Sequence, residues 1–435
     1  HEERERAVSS AAQITEHLRT IESGNAGEGL GEAEMRSCFA ELEKAFDAQR
    51  GGFGHGPKFP SPHNLLFLLR HARRFGQDKA VAMVEKTLHA MRLGGIHDHL
   101  GFGFHRYSTD REWLVPHFEK MLYDQAMLIM AYSEAYELAH DPFYAQVITE
   151  TAGYVLQDMT DASGAFFSAE DADSEGEEGR FYVWTEQEID ALLSADQAWL
   201  AKTVFGLQPE GNYKDEATGR RTGSNILHLP QPLDHAAEGL GRSQQSLGIQ
   251  LDEVRSKLLA ARSQRIRPLL DDKILTDWNG LMIAALAQAG RVLDEREYIL
   301  AAQRAARFIL EHMHRNGRLL HRYRDGQAAV PGLLDDYAFF IHGLIELHAA
   351  GADEAYLRTS LDLTRECMQH FWDPEHGGCY LTPDDGEELL LRPKNVTDGA
   401  IPSGNSVLLA NLLRLARITE DADLNRTAQE LMTAF

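Results

Sequence analysis

Two kinds of apolar segment alternate along this chain. One is apolar nearly all round: SPHNLLFLLRHA (61–72), LYDQAMLIMAYSEAY (122–136), LTDWNGLMIAALAQAG (275–290), LLDDYAFFIHGLIELHAAG (333–351) and PSGNSVLLANLLRLA (402–416). Each starts with polar residues, often Asp or Asn. The other kind keeps a polar face: DKAVAMVEKTLHAMR (78–92), REYILAAQRAARFILEHM (296–313) and EAYLRTSLDLTRECMQHF (354–371). Apolar residues on every side predict a helix that is buried all round, and a one-sided stripe predicts a helix that covers it.

The alternation has a period. Anchored on Asn64, Asp124, Asp277, Asp336 and Asn405, the first kind recurs at steps of 60, 153, 59 and 69 residues. The long step fits one more unit starting near Thr185 (TEQEIDALL), with an insertion at 207–250 whose NYKDEATGRRTGSN and PQPLDHAAEGLGRSQQ read as loop. That makes six helical hairpins, with buried helices starting near 62, 116–122, 185, 277, 335 and 403. Gly/aromatic links join them: GGFGHGPKFP, GGIHDHLGFGFHRY, GAFFSAEDADSEG, GRLLHRYRDG and GGCYLTPDDG. FFSAEDAD and GRFYVW suggest at most one short β-hairpin. The pattern predicts an all-α chain folded as an (α/α)6 barrel, a six-hairpin toroid with Gly/aromatic rim loops. An open helical solenoid is the alternative built from the same stacked pairs. In a closed ring the links and the buried-helix starts share one mouth, where free helix-terminal amides attract acceptors.

Candidate chemistry concentrates in Gly94–Asp124 (GGIHDHLGFGFHRYSTDREWLVPHFEKMLYD), where four histidines and many charges interleave with six aromatics. Such a mixture suits a pocket for a polar small molecule better than either a core or a surface loop. Pro116 fits a first helical position, which would put His117, Lys120 and Asp124 on one helix face. Catalytic candidates are His117, Asp124, His99, His105, Asp277 and Asp336. Residues expected to hold the ligand are His55, Lys58, Arg106, Trp113, Glu170, Asp171, Trp278, Asn279 and Tyr337. The HxH spacing of His97 and His99 lies in a glycine-rich loop without a cysteine partner or HExxH, so no metal is expected. GxGF at 101–104 lacks a preceding strand, and no P-loop or GxSxG occurs, so no cofactor is expected either.

A formal net charge of −24 argues against nucleic acid or an anionic membrane as partner. No apolar run is long enough to span a bilayer, and no signal-peptide pattern opens the chain. Cys38, Cys367 and Cys379 form no CxxC, which favours a reducing, cytoplasmic compartment. Residues 1–21 read as a helix already under way and 421–435 as one cut short, so the barrel at 31–435 is expected to be truncated at its C-terminus.

At GPKFP (56–60), DHLGFGFHRYS (98–108), PHFEKMLYDQA (116–126), SAEDADSEGEEGRFYVWT (168–185), DDKILTDWNG (271–280) and DDYAF (335–339) the chain resembles the YyaL / spermatogenesis-associated protein 20 family. The resemblance implies an (α/α)6 toroid like that of six-hairpin glycosidases and N-acylglucosamine 2-epimerases. It also implies a thioredoxin-like domain as partner in the full-length protein, with residues 1–30 as the linker helix that follows it. The expected function is a carbohydrate- or polyol-active barrel leaning to epimerase- or isomerase-like proton transfer on a sugar-like ligand. The alternatives are a glycoside hydrolase with paired carboxylates and a non-catalytic binding or scaffold barrel.

Overall fold

The computed structural model describes residues 2–22, 27, 29–214 and 219–435, so part of the predicted loop at 212–225 lies outside the described residues. The chain divides into two compact units. The first comprises His1–Cys38, Asp161–Phe166 and Lys273–Phe435, and the second Phe39–Thr160 and Phe167–Asp272.

In the first unit the helices Thr276–Leu293 and Leu334–Ala349 are buried on nearly every side; 14 of the 18 residues of Thr276–Leu293 are buried. Their backbones come close because Gly280 and Gly343 lie at the crossing. A Cβ at Gly280 would be 2.5 Å from the Phe339 carbonyl carbon, and one at Gly343 would be 2.8 Å from Gly280 O. Only glycine allows that approach. The amphipathic helices Arg296–Phe308 and Ala355–Phe371 cover this pair, and Gly404–Thr419 with Ala422–Thr433 continues the series. Cys367 and Cys379 are both buried free thiols, and the nearness of Cys379 raises the Cys367 thiol.

The second unit repeats the scheme with Pro62–Phe75 and Asp78–Leu93, then Leu122–Ala139 and Pro142–Asp158. The start near Thr185 is present as a short helix, Glu186–Leu192, closed by a Thr185–Glu188 capping box. Ala195–Val204 and the long Gln244–Arg262 complete it. Part of the segment read as loop, at 230–245, forms the helix Leu233–Gly239.

Helix starts agree with the sequence pattern at Pro62, Leu122, Thr276, Leu334 and Gly404, but Pro62–Phe75 and Gly404–Thr419 bury one side and not, as expected, all round. The helix does not begin at Pro116. Pro116–His117 pairs with Tyr107–Ser108, and Lys120–Met121 pairs with Ala169–Glu170, which in turn pairs with Leu270–Asp271. Strand pairing captures the main chain ahead of Leu122, so His117 and Lys120 do not share a helix face with Asp124. The short hairpin also lies elsewhere than expected. Asp173–Ser174 pairs with Glu177–Glu178, and Trp184 bridges to Asn225 instead. A longer hairpin, Arg318–Arg324 with Gln327–Pro331, turns at Asp325-Gly326, where both φ angles are positive. Among the described residues no helix is long and apolar enough to cross a membrane.

One device recurs where links meet buried helices. The side chain of Asn279 accepts from Phe166 N–H (2.8 Å) and donates to Phe166 O (2.9 Å). Gln125 does the same with Phe104, at 2.7 Å each way, and Asn405 with Cys379, at 2.9 Å each way. A carboxamide is the neutral side chain that offers both a donor and an acceptor. It therefore satisfies both main-chain groups of a buried link residue that no strand reaches.

Asn279→Leu keeps size while leaving the two Phe166 main-chain groups unpaired. We expect a loss of about 2–5 kcal/mol in chemical denaturation, the sum of two buried unsatisfied groups. A loss under about 1 kcal/mol would show that the clamp contributes little.

Candidate functional site

In the second unit the buried carboxylate of Asp98 is the centre of the histidine-rich segment. Arg262 donates to both its oxygens at 2.8 Å, and Lys120 Nζ donates at 2.9 Å. The amides of Leu100 and Gly101 add two more donors. With so many donors Asp98 is held well below the usual carboxylate range despite burial, the salt bridges to Arg262 and Lys120 outweighing desolvation. His105 and His99 lie against this node. His105 Nδ1 donates to Phe118 O (2.9 Å), and burial pushes its imidazole down to about 3. His99 donates from Nε2 to Gly94 O (2.9 Å) and faces Arg92, so burial and that charge also lower it. Both are neutral, desolvated rings inside the unit, with geometry that positions the link.

His117 and Asp124 differ from that pair. His117, a quarter exposed, places Nδ1 2.7 Å from Glu178 and Nε2 3.1 Å from Glu119, and the hydrogen bond to Glu178 raises its affinity for a proton. Arg106 donates to the same Glu119 at 2.9 Å. Asp124, in the first turn of Leu122–Ala139, is buried with Oδ2 unpartnered, and desolvation raises it well above the usual carboxylate range.

The first unit brings two expected carboxylates together. Asp277 is in the first turn of Thr276–Leu293 and Asp336 in that of Leu334–Ala349. Asp336 accepts from Asp277 N–H (3.1 Å) and Leu333 N–H (2.7 Å). His321 Nδ1 donates to Asp336 Oδ1 at 3.0 Å. Asp277, Asp336 and His321 bring one oxygen or nitrogen each within 4.8 Å of one another. Burial, then the neighbouring Asp336 charge, pushes Asp277 up to about 8. The bond to Asp336 pushes His321 up to about 9, and burial beside Asp336 takes Asp335 to about 6. Because Asp277 and His321 sense each other, their protons come off in two steps that belong to the pair.

His321 was not among the residues singled out from the sequence, nor were Glu119 and Glu178. The hairpin places it: Arg322 pairs with Leu275 and Tyr323 with Ile274, so His321 faces the first residue of Thr276–Leu293. The alternation in GRLLHRYRDGQAAV with its Asp-Gly turn is the signal that marks that hairpin.

The residues expected to hold a ligand have varied surroundings. Lys58 is fully buried, donating to Asp47 Oδ2 (2.9 Å) and Gly51 O (2.6 Å), with Trp113, also fully buried, 5.5 Å away. Both side chains are spent within the fold, as is the Asn279 carboxamide. Tyr337 is buried and its hydroxyl bonds Glu366. Glu170 is buried against the Tyr182 hydroxyl and Arg267. His55 and Asp171 are exposed, and Trp278 is half-buried next to Asp277. Among the described residues, Asp277–His321–Asp336 and the more exposed His370–Asp384–Asp385 have ligand atoms close enough to share a cation. At the first, Asp336 already accepts three N–H groups and Asp277 keeps a proton, so an ion would have to displace both arrangements.

No family model matches the chain. It is 39% identical to human spermatogenesis-associated protein 20 over 430 residues, covering 92% of the chain and 55% of that protein. The chain thus spans about half the length of that relative. The solved structure of a D-mannose isomerase is similar with a TM-score of 0.59 at 12% identity, covering 92% of this chain and 84% of that one. Cellobiose 2-epimerase from Bacillus thermoamylovorans follows at 0.55 and 10%, covering 92% and 85%. At such identities the likeness carries the fold alone, and that fold is the (α/α)6 barrel expected from the count of hairpins.

The first-unit cluster should make stability depend on pH. An unfolded carboxyl releases its proton near 4 and an unfolded histidine near 6.5. The folded protein keeps them to about 8 on Asp277 and about 9 on His321. The folded state therefore binds more protons, and stability falls as pH rises across that window. The His321 share is complete below about 6.5 and lost as pH rises through about 9. Asp277→Asn removes the carboxyl share, so melting temperature should fall less than in the unsubstituted protein between about pH 5 and 8. Calorimetry at several pH values checks this; parallel curves would refute the raised Asp277.

Proposed function

Over the region they share, the chain belongs to the family of spermatogenesis-associated protein 20, and we propose that this region transfers a proton on a small sugar, as an isomerase or 2-epimerase does. The observation that carries the reading is the His321–Asp336 dyad. Asp336 binds Nδ1 and leaves Nε2, which has no bond among the described residues, as the outward acid or base. An imidazole oriented by a carboxylate through its other nitrogen is a common arrangement for moving protons. Asp277 adds a carboxyl that titrates with it near pH 8. Once one of the two protons has left, near pH 8, the pair holds both a base to take a proton from carbon and an acid to give one to oxygen. Trp278, half-buried beside Asp277, offers an apolar face for the C–H side of a sugar ring. Two relatives in fold, a D-mannose isomerase and a cellobiose 2-epimerase, act on sugars by name, which supports the substrate class.

Hydrolysis by paired carboxylates is supported less well. Asp277 and Asp336 are close, with one oxygen of each within 4.8 Å of the other. Both Asp336 oxygens are also engaged. His117 and Asp124 belong to the proposal as ligand-binding groups of the second unit, because each carries a perturbed proton affinity beside other charges. The thioredoxin-like domain implied by the family resemblance is the proposed partner in the full-length protein.

The test is proton exchange at carbon. Mannose, glucose, fructose and cellobiose are incubated in D2O and followed by NMR for deuterium at C1 or C2. We expect incorporation into at least one sugar, reduced by at least about a hundredfold in His321→Gln, the scale of a lost general acid or base. Cleavage of cellobiose without any C–D formation would overturn the reading in favour of hydrolysis.

A further inference from the structure

The second unit contains an open cleft of about 480 Å³ that the acid–base chemistry does not use. It lies between the C-terminal halves of Pro142–Asp158 and Gln244–Arg262, with Phe102, Phe181 and the paired Lys120 and Glu170 as its floor. No residue of the buried helices Pro62–Phe75 and Leu122–Ala139 lines it. Its volume falls in the usual range for small-molecule sites.

Three observations say what it suits. Lys120, Arg262 and Arg267 face Glu150, Asp158 and Glu170 around the wall, so the charges balance. Behind the wall Asp98 takes Lys120 and Arg262, and Arg92 takes Glu150, which keeps the balance. An ionic ligand of either sign would leave a charge uncompensated in a partly desolvated place. Second, two lining groups lack hydrogen-bond partners although buried: Tyr154 Oη and Arg262 Nε, on side chains 3% and 4% exposed. Neither atom is itself exposed, so a ligand oxygen reaches them only if the wall shifts. Third, Gly153 lines the cleft inside a helix, where glycine is less favourable than alanine. At Gly280 close backbone contact explains the glycine, whereas a Cβ at Gly153 would meet nothing within 4 Å. A bare backbone there keeps the cleft open.

We propose that this cleft binds a neutral sugar or polyol, at a site sharing no residue with the Asp277–His321–Asp336 centre. Hydroxyl groups both donate and accept, so one molecule can serve Tyr154, Arg262 and the carboxylates together. The rings of Phe102, Phe181 and Tyr182 supply apolar surface for its C–H faces. This site stands whether or not the first unit is catalytic.

Calorimetric titration with glucose, mannose and cellobiose, up to about 50 mM so that a millimolar site fills, tests it. We expect at least one to bind, with affinity lowered at least about tenfold by Gly153→Leu and reduced by Tyr154→Phe. Gly153→Leu should keep or raise the melting temperature, since it adds helix propensity and meets no packed atom. His321→Gln should lose proton exchange but keep this binding, which separates the two sites. Three results would overturn the proposal: no binding by any of the three sugars, unchanged affinity in Gly153→Leu, or tighter binding of gluconate or glucosamine than of glucose.

Discussion

The carboxamides of Asn279, Gln125 and Asn405 each pair in both directions with one main-chain residue of a link: Phe166, Phe104 and Cys379. The links are rich in glycine and aromatics and run through buried surroundings, so their polar groups need partners that water cannot supply. A full strand would satisfy them but would also fix a long stretch of link in extended form. A single amide satisfies one residue and leaves the neighbours free to curve. Asp124 precedes one clamp by one residue and Asp277 precedes another by two. Their carboxyls are therefore placed by the same bonds that hold the links.

Asp124 apart, the acid clusters of the two units treat buried charge differently. In the second, Asp98 receives two cations and two amides, and Asp47 is held by Lys58 and Arg111. Each anion has its donors, so each stays ionised and the histidines nearby stay neutral. In the first, Asp277, Asp335 and Asp336 crowd together with His321 as their nearby cation. Like charges in a low-dielectric setting cannot all ionise, so protons are retained. Satisfied charge makes structure, while retained protons are available for chemistry. In the proposed function, that contrast moves the weight from the histidine-dense segment to a single histidine on a hairpin.

Five of the six inner-helix starts were legible because long apolar runs opened by polar residues have few competing readings, even where, as in Pro62–Phe75 and Gly404–Thr419, only one side is buried. Leu122–Ala139 was found for that reason, yet its first turn was placed too early. Pro116 is a good helix start locally, and nothing in the sequence reveals that Ala169–Glu170 and Leu270–Asp271 arrive to pair with Lys120–Met121. Histidine density marked Gly94–Asp124 as polar and buried, which is right, but density does not distinguish donors spent on main-chain oxygens from free ones. His99 and His105 are of the spent kind. Asp277 and Asp336 were visible from their recurrence at helix starts, whereas His321 required the register of a hairpin with Ile274–Leu275.

The position of Asp336 explains why Asp277 keeps a proton. A carboxylate at a helix start ordinarily takes the free amides there and is stabilised as an anion by them and by the helix dipole. Asp336 takes Leu333 N–H from its own helix and Asp277 N–H from the neighbouring one. Asp277 is left with Trp278 N–H at 2.8 Å, while Asp336 already holds the nearest imidazole. One carboxylate thus collects donors from two helix starts, and the other, buried beside it, stays neutral. The asymmetry needs no metal or cofactor to arise. It follows from two acidic residues at adjoining helix starts with one histidine between them, and it leaves a carboxyl that keeps its proton beside an imidazole.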